Sequence, residues 1–376
     1  MKIIIAPGAF KHSLGARAAA EAIERGLLNS GLGAECRLLP IADGGNGTLD
    51  AFLAGGGERI ETEVLDPLGR RIRSAFGLLQ DGDTAVIEMA LASGLELVHR
   101  DELNAIKAST YGTGMLMQAA LEAGARRVIV GIGGSATTEG GAGCLQALGV
   151  RLLDVDGNLL LTGADALAQV RQVDFSGLDS RWQQVEVILA ADVENPAVGP
   201  NGAAAVYGPQ KGASPADTAY LDRVLTHFFG VIATQTGNDL RAVPGGGAAG
   251  ALAAGLMTCL PAQIQSGADL ILDYNGFDAA VSTADLVITG EGRMDSQTLS
   301  GKGPISAARR AKQLGVPTVA LVGGLQIDDA LLHKAGLQAV LPIVPGPMPL
   351  DEALQQAAEL LEMAARRLGY LLQLQQ

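Results

Sequence analysis

Four stretches of the chain combine glycine with charged or hydroxyl side chains in patterns suited to anion chemistry. Residues 131–143 read GIGGSATTEGGAG, with six glycines in thirteen positions. Such a run lets backbone N–H groups converge on an anion, and Ser135, Thr137 and Thr138 add hydroxyls around Gly133 and Gly134. Residues 286–297 read LVITGEGRMDSQ, an apolar run that delivers Glu291, Arg293, Asp295 and Ser296 close together. Gly301-Lys302-Gly303-Pro304 follows, with Pro304 placed for the first turn of a helix. In residues 188–196, ILAADVENP, Asp192 stands where an apolar strand ends, suited to holding Mg²⁺ or accepting a hydroxyl proton. Shortly after it comes Gly208-Pro209-Gln210-Lys211-Gly212, whose lysine between glycines suits a phosphate. The fourth stretch pairs Lys11, after Pro7-Gly8-Ala9-Phe10, with Asp43 of Asp43-Gly44-Gly45. For each lone charge the plain alternative is structural: a turn or cap for Asp43 and Asp192, a solvated loop for Lys211.

Two familiar nucleotide signatures are only partly met. Gly131-x-Gly133-x-x-Ala136 after a strand, with Asp154 and Asp156 downstream, resembles a dinucleotide fingerprint. That reading puts Gly140, Gly141 and Gly143 inside a helix at up to about 1 kcal/mol each relative to alanine. A long anion-binding loop with the helix starting near Ala142 costs less. Around Gly301-Lys302 the Walker pattern fails at Ser296 and Gly303.

These stretches need rigid elements to position them, and the sequence supplies candidates. Strands are expected at residues 2–6, 37–40, 127–131, 185–190, 285–289, 317–322 and 339–344. A helix carrying Leu14, Ala18, Ala22 and Leu27, capped by Ser13, follows the first, and a final helix starts near Leu350. Strands that are apolar throughout and alternate with helices imply mainly parallel sheets covered on both faces, an α/β fold. Sites in such folds lie beyond the carboxyl ends of the strands, where the four stretches fall.

Composition agrees. The chain has 376 residues, enough for two domains, with 51 glycines, roughly twice the usual share. It is 48% hydrophobic and 18% charged, which excludes disorder. A net charge of −13 argues against nucleic-acid or anionic-membrane partners, so any phosphate site must be locally built. Three cysteines without a CxxC and four scattered histidines suggest neither a disulfide frame nor a zinc site. The uncharged stretch around residues 242–268 is rich in alanine and broken by Pro244 and Pro261, unlike a membrane span, and the cytoplasm is the expected location.

Ala42-Asp43-Gly44-Gly45, Gly131 to Thr137, Tyr207 to Gly212 and Thr289 to Gln297, in that order, resemble the motifs of the bacterial glycerate kinase family. The resemblance covers essentially the whole chain. It implies phosphorylation of D-glycerate with ATP and Mg²⁺, the 2-hydroxyl being favoured as acceptor, by a monomer or homodimer. It also implies two α/β domains: a three-layer one with a mainly parallel sheet, built from residues 1–69 and 284–376, and an inserted one of residues 70–283, with the active site in the cleft between them. Asp192 would serve as base or Mg²⁺ ligand, and Arg293 and Lys11 would neutralise the glycerate carboxylate or the transferred phosphoryl group. Asp43, Glu291, Asp295 and Ser296 would orient metal, water or glycerate. Gly133, Gly134, Ser135, Thr137, Lys211 and Lys302 would hold the nucleotide phosphates.

The chain departs from the family pattern at three places. It has Gly8-Ala9 for Asp-Ser, Asn46 for Glu, and Thr138-Glu139 for Asn-Asp. Two other readings stand beside the kinase: an NAD(P)-dependent oxidoreductase using Gly131, Gly133 and Ala136, and a catalytically weak sugar-acid or nucleotide-binding protein suggested by Gly8-Ala9.

Overall fold

The computed structural model describes residues 1–295, 298–300 and 303–374. In chain order the first strands are β1 (Lys2–Pro7), β2 (Glu35–Leu38), β3 (Gly57–Leu65), β4 (Arg71–Leu79) and β5 (Thr84–Glu88). They are followed by β6 (Arg127–Gly131), β7 (Arg151–Leu153), β8 (Gln172–Asp174), β9 (Glu186–Ala190) and β10 (Ala262–Gln265). The last three are β11 (Leu286–Met294), β12 (Thr318–Leu325) and β13 (Ala339–Pro342). The fold is α/β with mostly parallel sheets, and the chain divides into two compact units.

The first unit comprises Met1–Asp43, Asp50–Gly55 and Ser266–Gln376. Its five-stranded sheet has the order β13-β12-β11-β1-β2, and every pairing is parallel. Successive side chains of a strand face opposite ways, and β1 shows the result. Ile3 and Ile5 pack with Ile23, Leu27 and Leu361 of the helices Ala16–Asn29 and Ala357–Gln373. Ile4 and Ala6 pack on the other face with Leu272, Phe277 and Ala307, from helices Gly267–Tyr274, Phe277–Val281 and Gly303–Gln313. The unit is therefore a three-layer sandwich. Ser13 does not cap the first helix; the N-cap is Gly15, and the Ser13 hydroxyl donates to the Leu354 carbonyl at 2.5 Å.

The second unit comprises Gly44–Leu49 and Gly56–Gln265. Its six-stranded sheet has the order β10-β9-β6-β5-β4-β3, parallel from β10 to β5 and antiparallel at β4 and β3. The antiparallel pair brings residues 57–69 into this unit, because β3 pairs with β4 along its whole length, Gly57 opposite Leu79 through Leu65 opposite Arg71. Asp66-Pro67-Leu68-Gly69 is the turn between them, and Asp66 Oδ1 accepts the amides of Leu68 and Arg70 at 2.8 Å each. At the far end, residues 266–283 pack in the first unit instead. Among the described residues no helix is long and apolar enough to cross a membrane.

Candidate functional site

In the second unit the glycine-rich run after β6 is a true loop. Residues 132–141 take no helical form and the helix Ala142–Ala147 begins only after them. A dinucleotide turn would pass directly from strand to helix, so the oxidoreductase reading falls. Asp154, the acid that reading needed, instead accepts the Asp156 and Asn158 amides in an exposed turn.

Neighbouring backbone pins the loop in place. The Ile132, Gly133, Ala136 and Gly140 amides donate to the carbonyls of Ala190, Gly44, Ser93 and Gly250, at 2.8–3.2 Å. Gly133 and Gly134 are its accessible crest. Gly134 has a φ of +73°, and a Cβ there would stand 2.4 Å from Asn46 Oδ1, so crest and side chain meet closely. Ser135 is 7% exposed and Thr137 and Thr138 are fully buried. The Thr137 and Thr138 hydroxyls have no hydrogen-bond partner among the described residues.

Thr137 is thus a buried part of the loop, and Lys211 packs behind it. Lys211 ends the short 3-10 turn Pro209–Lys211 and is 2% exposed. Its ammonium donates to Ser135 Oγ at 2.9 Å and to the Thr137 carbonyl at 2.6 Å. Burial lowers its pKa from the ordinary lysine range to about 7.

Two buried carboxylates complete the scaffold. Glu139, wholly buried, accepts the amides of Thr110, Gly143 and Gly163 and the hydroxyls of Ser109 and Thr110, at 2.7–3.2 Å. Burial raises its pKa against the pull of those bonds. Glu88, at the end of β5, accepts the amides of Gly47 and Leu49. That anchors residues 44–49 beside the loop, where a Gly44 Cβ would come 2.1 Å from the Ala190 carbonyl oxygen. Asp192, half-buried, stands two residues beyond Ala190, the end of β9.

A second support is a short left-handed turn. Ala249, Gly250 and Ala251 have φ of 56°, 67° and 68°. Left-handed geometry costs an L-residue about 1–2 kcal/mol, so packing must impose it on the two alanines. A Gly250 Cβ would lie 2.1 Å from the Thr137 carbonyl, so this turn forms the back wall of the loop.

In the first unit the second stretch proves to be strand rather than loop. β11 continues to Met294, with Glu291 opposite Val322 and Arg293 opposite Gly324 of β12. Glu291 and Arg293 therefore share one side of the sheet's carboxyl edge, and Met294 is buried. Arg293 is exposed, bonds Gln326 Oε1, and stands 3.5 Å from the Asp295 carboxylate. Gly8 joins this edge through its amide, which donates to the Gly290 carbonyl at 2.8 Å. Lys11 is exposed just beyond, its amide 3.2 Å from where a Gly292 Cβ would be. Asp43, half-buried, follows β2 by five residues. Ser296 and Lys302 lie outside the described residues.

The stretches are thus sorted by unit: the glycine-rich loop and Asp192 in one, Lys11, Asp43, Glu291, Arg293 and Asp295 in the other. The family model for the glycerate kinase family matches residues 3–373. The chain belongs to the glycerate kinase family. It is 50% identical to a glycerate kinase of Bacillus subtilis (strain 168), over 97% of this chain and 96% of that protein. It is 42% identical to a glycerate 2-kinase of Escherichia coli (strain K12), over 98% and 97%. A crystal structure of a Salmonella typhimurium LT2 protein assigned as glycerate kinase 2 superposes with a TM-score of 0.86 at 42% identity, covering 100% of this chain and 99% of that one.

In this member of the glycerate kinase family, the residues that sequence reasoning missed are supports. For Glu88, Gln326 and the 249–251 turn no motif signals the role. Glu139 was visible as an acid inside a glycine run, and only its burial shows that it ties the loop to three other segments.

Proposed function

We propose that this chain transfers the γ-phosphoryl group of ATP to D-glycerate, with the 2-hydroxyl as acceptor. The observation that carries the reading is the extended loop after β6, whose glycine crest is held open by Gly44, Ser93 and Gly250 rather than folded into a helix. A backbone cradle of this kind suits a polyphosphate. The 2-hydroxyl assignment is supported by the relative named glycerate 2-kinase.

Phosphoryl transfer needs positioning and charge neutralisation more than covalent chemistry. The amides of Gly134 and Ser135 take the phosphates, and Gly133, its own amide held by the Gly44 carbonyl, shapes the crest beside them. Arg293 and Lys11, both exposed cations, take the glycerate carboxylate or the phosphoryl group in flight. Asp43, Glu291 and Asp295 orient the glycerate hydroxyls. Asp192 accepts the proton of the attacking hydroxyl or holds the metal.

The donor set fits Mg²⁺ in its usual manner. Among the described residues no group of three His, Cys, Asp or Glu side chains could hold a metal ion by itself. Mg²⁺ is commonly held by one or two carboxylates together with substrate phosphates, and Asp192 supplies such a carboxylate. When bound, the ion neutralises phosphate charge.

Phosphorus NMR of the product formed from ATP and D-glycerate tests the acceptor assignment. A phosphate on C2 couples to a single proton and gives a doublet, and that is the expected signal. A triplet, from a phosphate on C3, would overturn the assignment.

A further inference from the structure

Lys211 is an ionisable group buried without an opposite charge. Among the described residues no carboxylate lies within ion-pair distance of its ammonium, and its two partners, Ser135 Oγ and the Thr137 carbonyl, are neutral. Burying an uncompensated ammonium is expensive, so this position calls for a counter-charge. Both partners belong to the loop, and Ser135 directly follows the half-buried Gly133 and the exposed Gly134.

We propose that Lys211 is a positioning residue for the loop and the hidden counter-charge of its ligand. Its ammonium fixes Ser135 and Thr137 from behind, and a phosphate seated on the crest is matched by a proton taken up on Lys211. The proposal rests on the reading that residues 133–135 hold nucleotide phosphates. The proton comes from the buffer and forms the third N–H bond of the ammonium; no other bond changes. With its pKa brought to about 7 by burial, Lys211 is largely neutral in mildly alkaline solution, and a nearby anion favours the charged form. Among the described residues no titratable side chain adds to that shift, which burial sets. Lys211 touches no ligand in this scheme and acts through Ser135 and Thr137.

Isothermal titration of the full chain with ADP at pH 8, in Tris and in HEPES, reads the proton count from the difference in heats. The wild type is expected to take up a fraction of a proton per ADP. Lys211→Met is expected to take up none and to bind ADP about ten- to a hundredfold more weakly, the loss typical of a charge-assisted hydrogen bond. Lys211→Arg, which stays protonated, is expected to regain much of the affinity with no proton uptake. Absence of uptake in the wild type overturns the proposal without any variant. So does unchanged ADP affinity in Lys211→Met. Gly134→Val, with its fold checked by circular dichroism, separates this failure from that of the underlying reading. If Gly134→Val abolishes ADP binding while Lys211→Met does not, only the role of Lys211 falls. If Gly134→Val binds ADP normally, the loop is not the phosphate site.

Discussion

The Glu88 carboxylate receives the Gly47 amide on both of its oxygens, each at 3.1 Å, and the Leu49 amide on Oε2 at 3.1 Å. This one side chain fastens residues 44–49, including the glycine carbonyl that holds Gly133, to the end of β5. Its removal strands two amide donors. Glu88→Ala is expected to lose about 1–3 kcal/mol of stability, the cost of leaving buried donors unsatisfied. Glu88→Gln, which keeps one acceptor oxygen, should lose less. Urea denaturation checks both; equal stability of Glu88→Ala and wild type would mean that the segment is held by other contacts.

Lys211 gives the stability a pH dependence whose sign can be worked out. Its folded pKa is lowered from 10.5 to about 7. Between those values the unfolded chain binds the proton and the folded chain does not, so stability rises with pH across that window, by at most about 1.4 kcal/mol per pH unit. Thermal unfolding of wild type and Lys211→Met from pH 7 to 9.5 isolates the effect. The wild type should gain on the variant as pH rises. A constant difference would show that Lys211 stays protonated in the fold.

Gly8 and Ala9 stand where the family pattern has Asp-Ser, and Gly8 proves to need no glycine. Its φ is not in the left-handed region, and a Cβ there would meet only the Gly290 carbonyl at 3.6 Å and Pro304 at 4.0 Å. Gly8→Asp with Ala9→Ser is therefore expected to fold with an unchanged melting temperature. It is also expected to lower KM for D-glycerate about ten- to a hundredfold through a charge-assisted hydrogen bond. An unchanged KM in the folded variant would remove this loop, and Lys11 with it, from the glycerate site.

Much of this organisation was legible in the sequence because parallel strands buried on both faces must be apolar throughout, as at Ile3-Ile4-Ile5 and Val128-Ile129-Val130. The pair β3–β4 was not legible, since its run Glu58-Arg59-Ile60-Glu61-Thr62-Glu63 is exposed and charged along much of its length. The glycines of β11 misled in a different way. Gly290 and Gly292 read as a loop, but they lie within the strand: a Cβ on Gly290 would lie 2.1 Å from the Leu321 carbonyl oxygen, and one on Gly292 3.2 Å from the Lys11 amide nitrogen. The motif residues of the site were all visible, but which side of a loop a side chain occupies is a matter of packing. Lys211 and Thr137 read as ligand contacts from their place in the motifs, whereas their burial, at 2% and 0% exposure, shows only in the fold.

Asp192, two residues beyond the end of β9, is the carboxylate we propose for proton transfer or metal binding. Asp192→Asn is expected to lower kcat at least about a hundredfold, as for loss of a general base, with an unchanged melting temperature. Near-wild-type turnover in the folded variant would make Asp192 a turn residue.

Coupled ADP release with D-glycerate, L-glycerate, glycolate or tartronate, each with Mg²⁺ and with excess chelator, tests the proposed phosphoryl transfer most directly. ADP release is expected to depend on D-glycerate, to exceed that with the other three acids, and to stop in chelator. ADP release indifferent to D-glycerate, or full turnover in excess chelator, would contradict it.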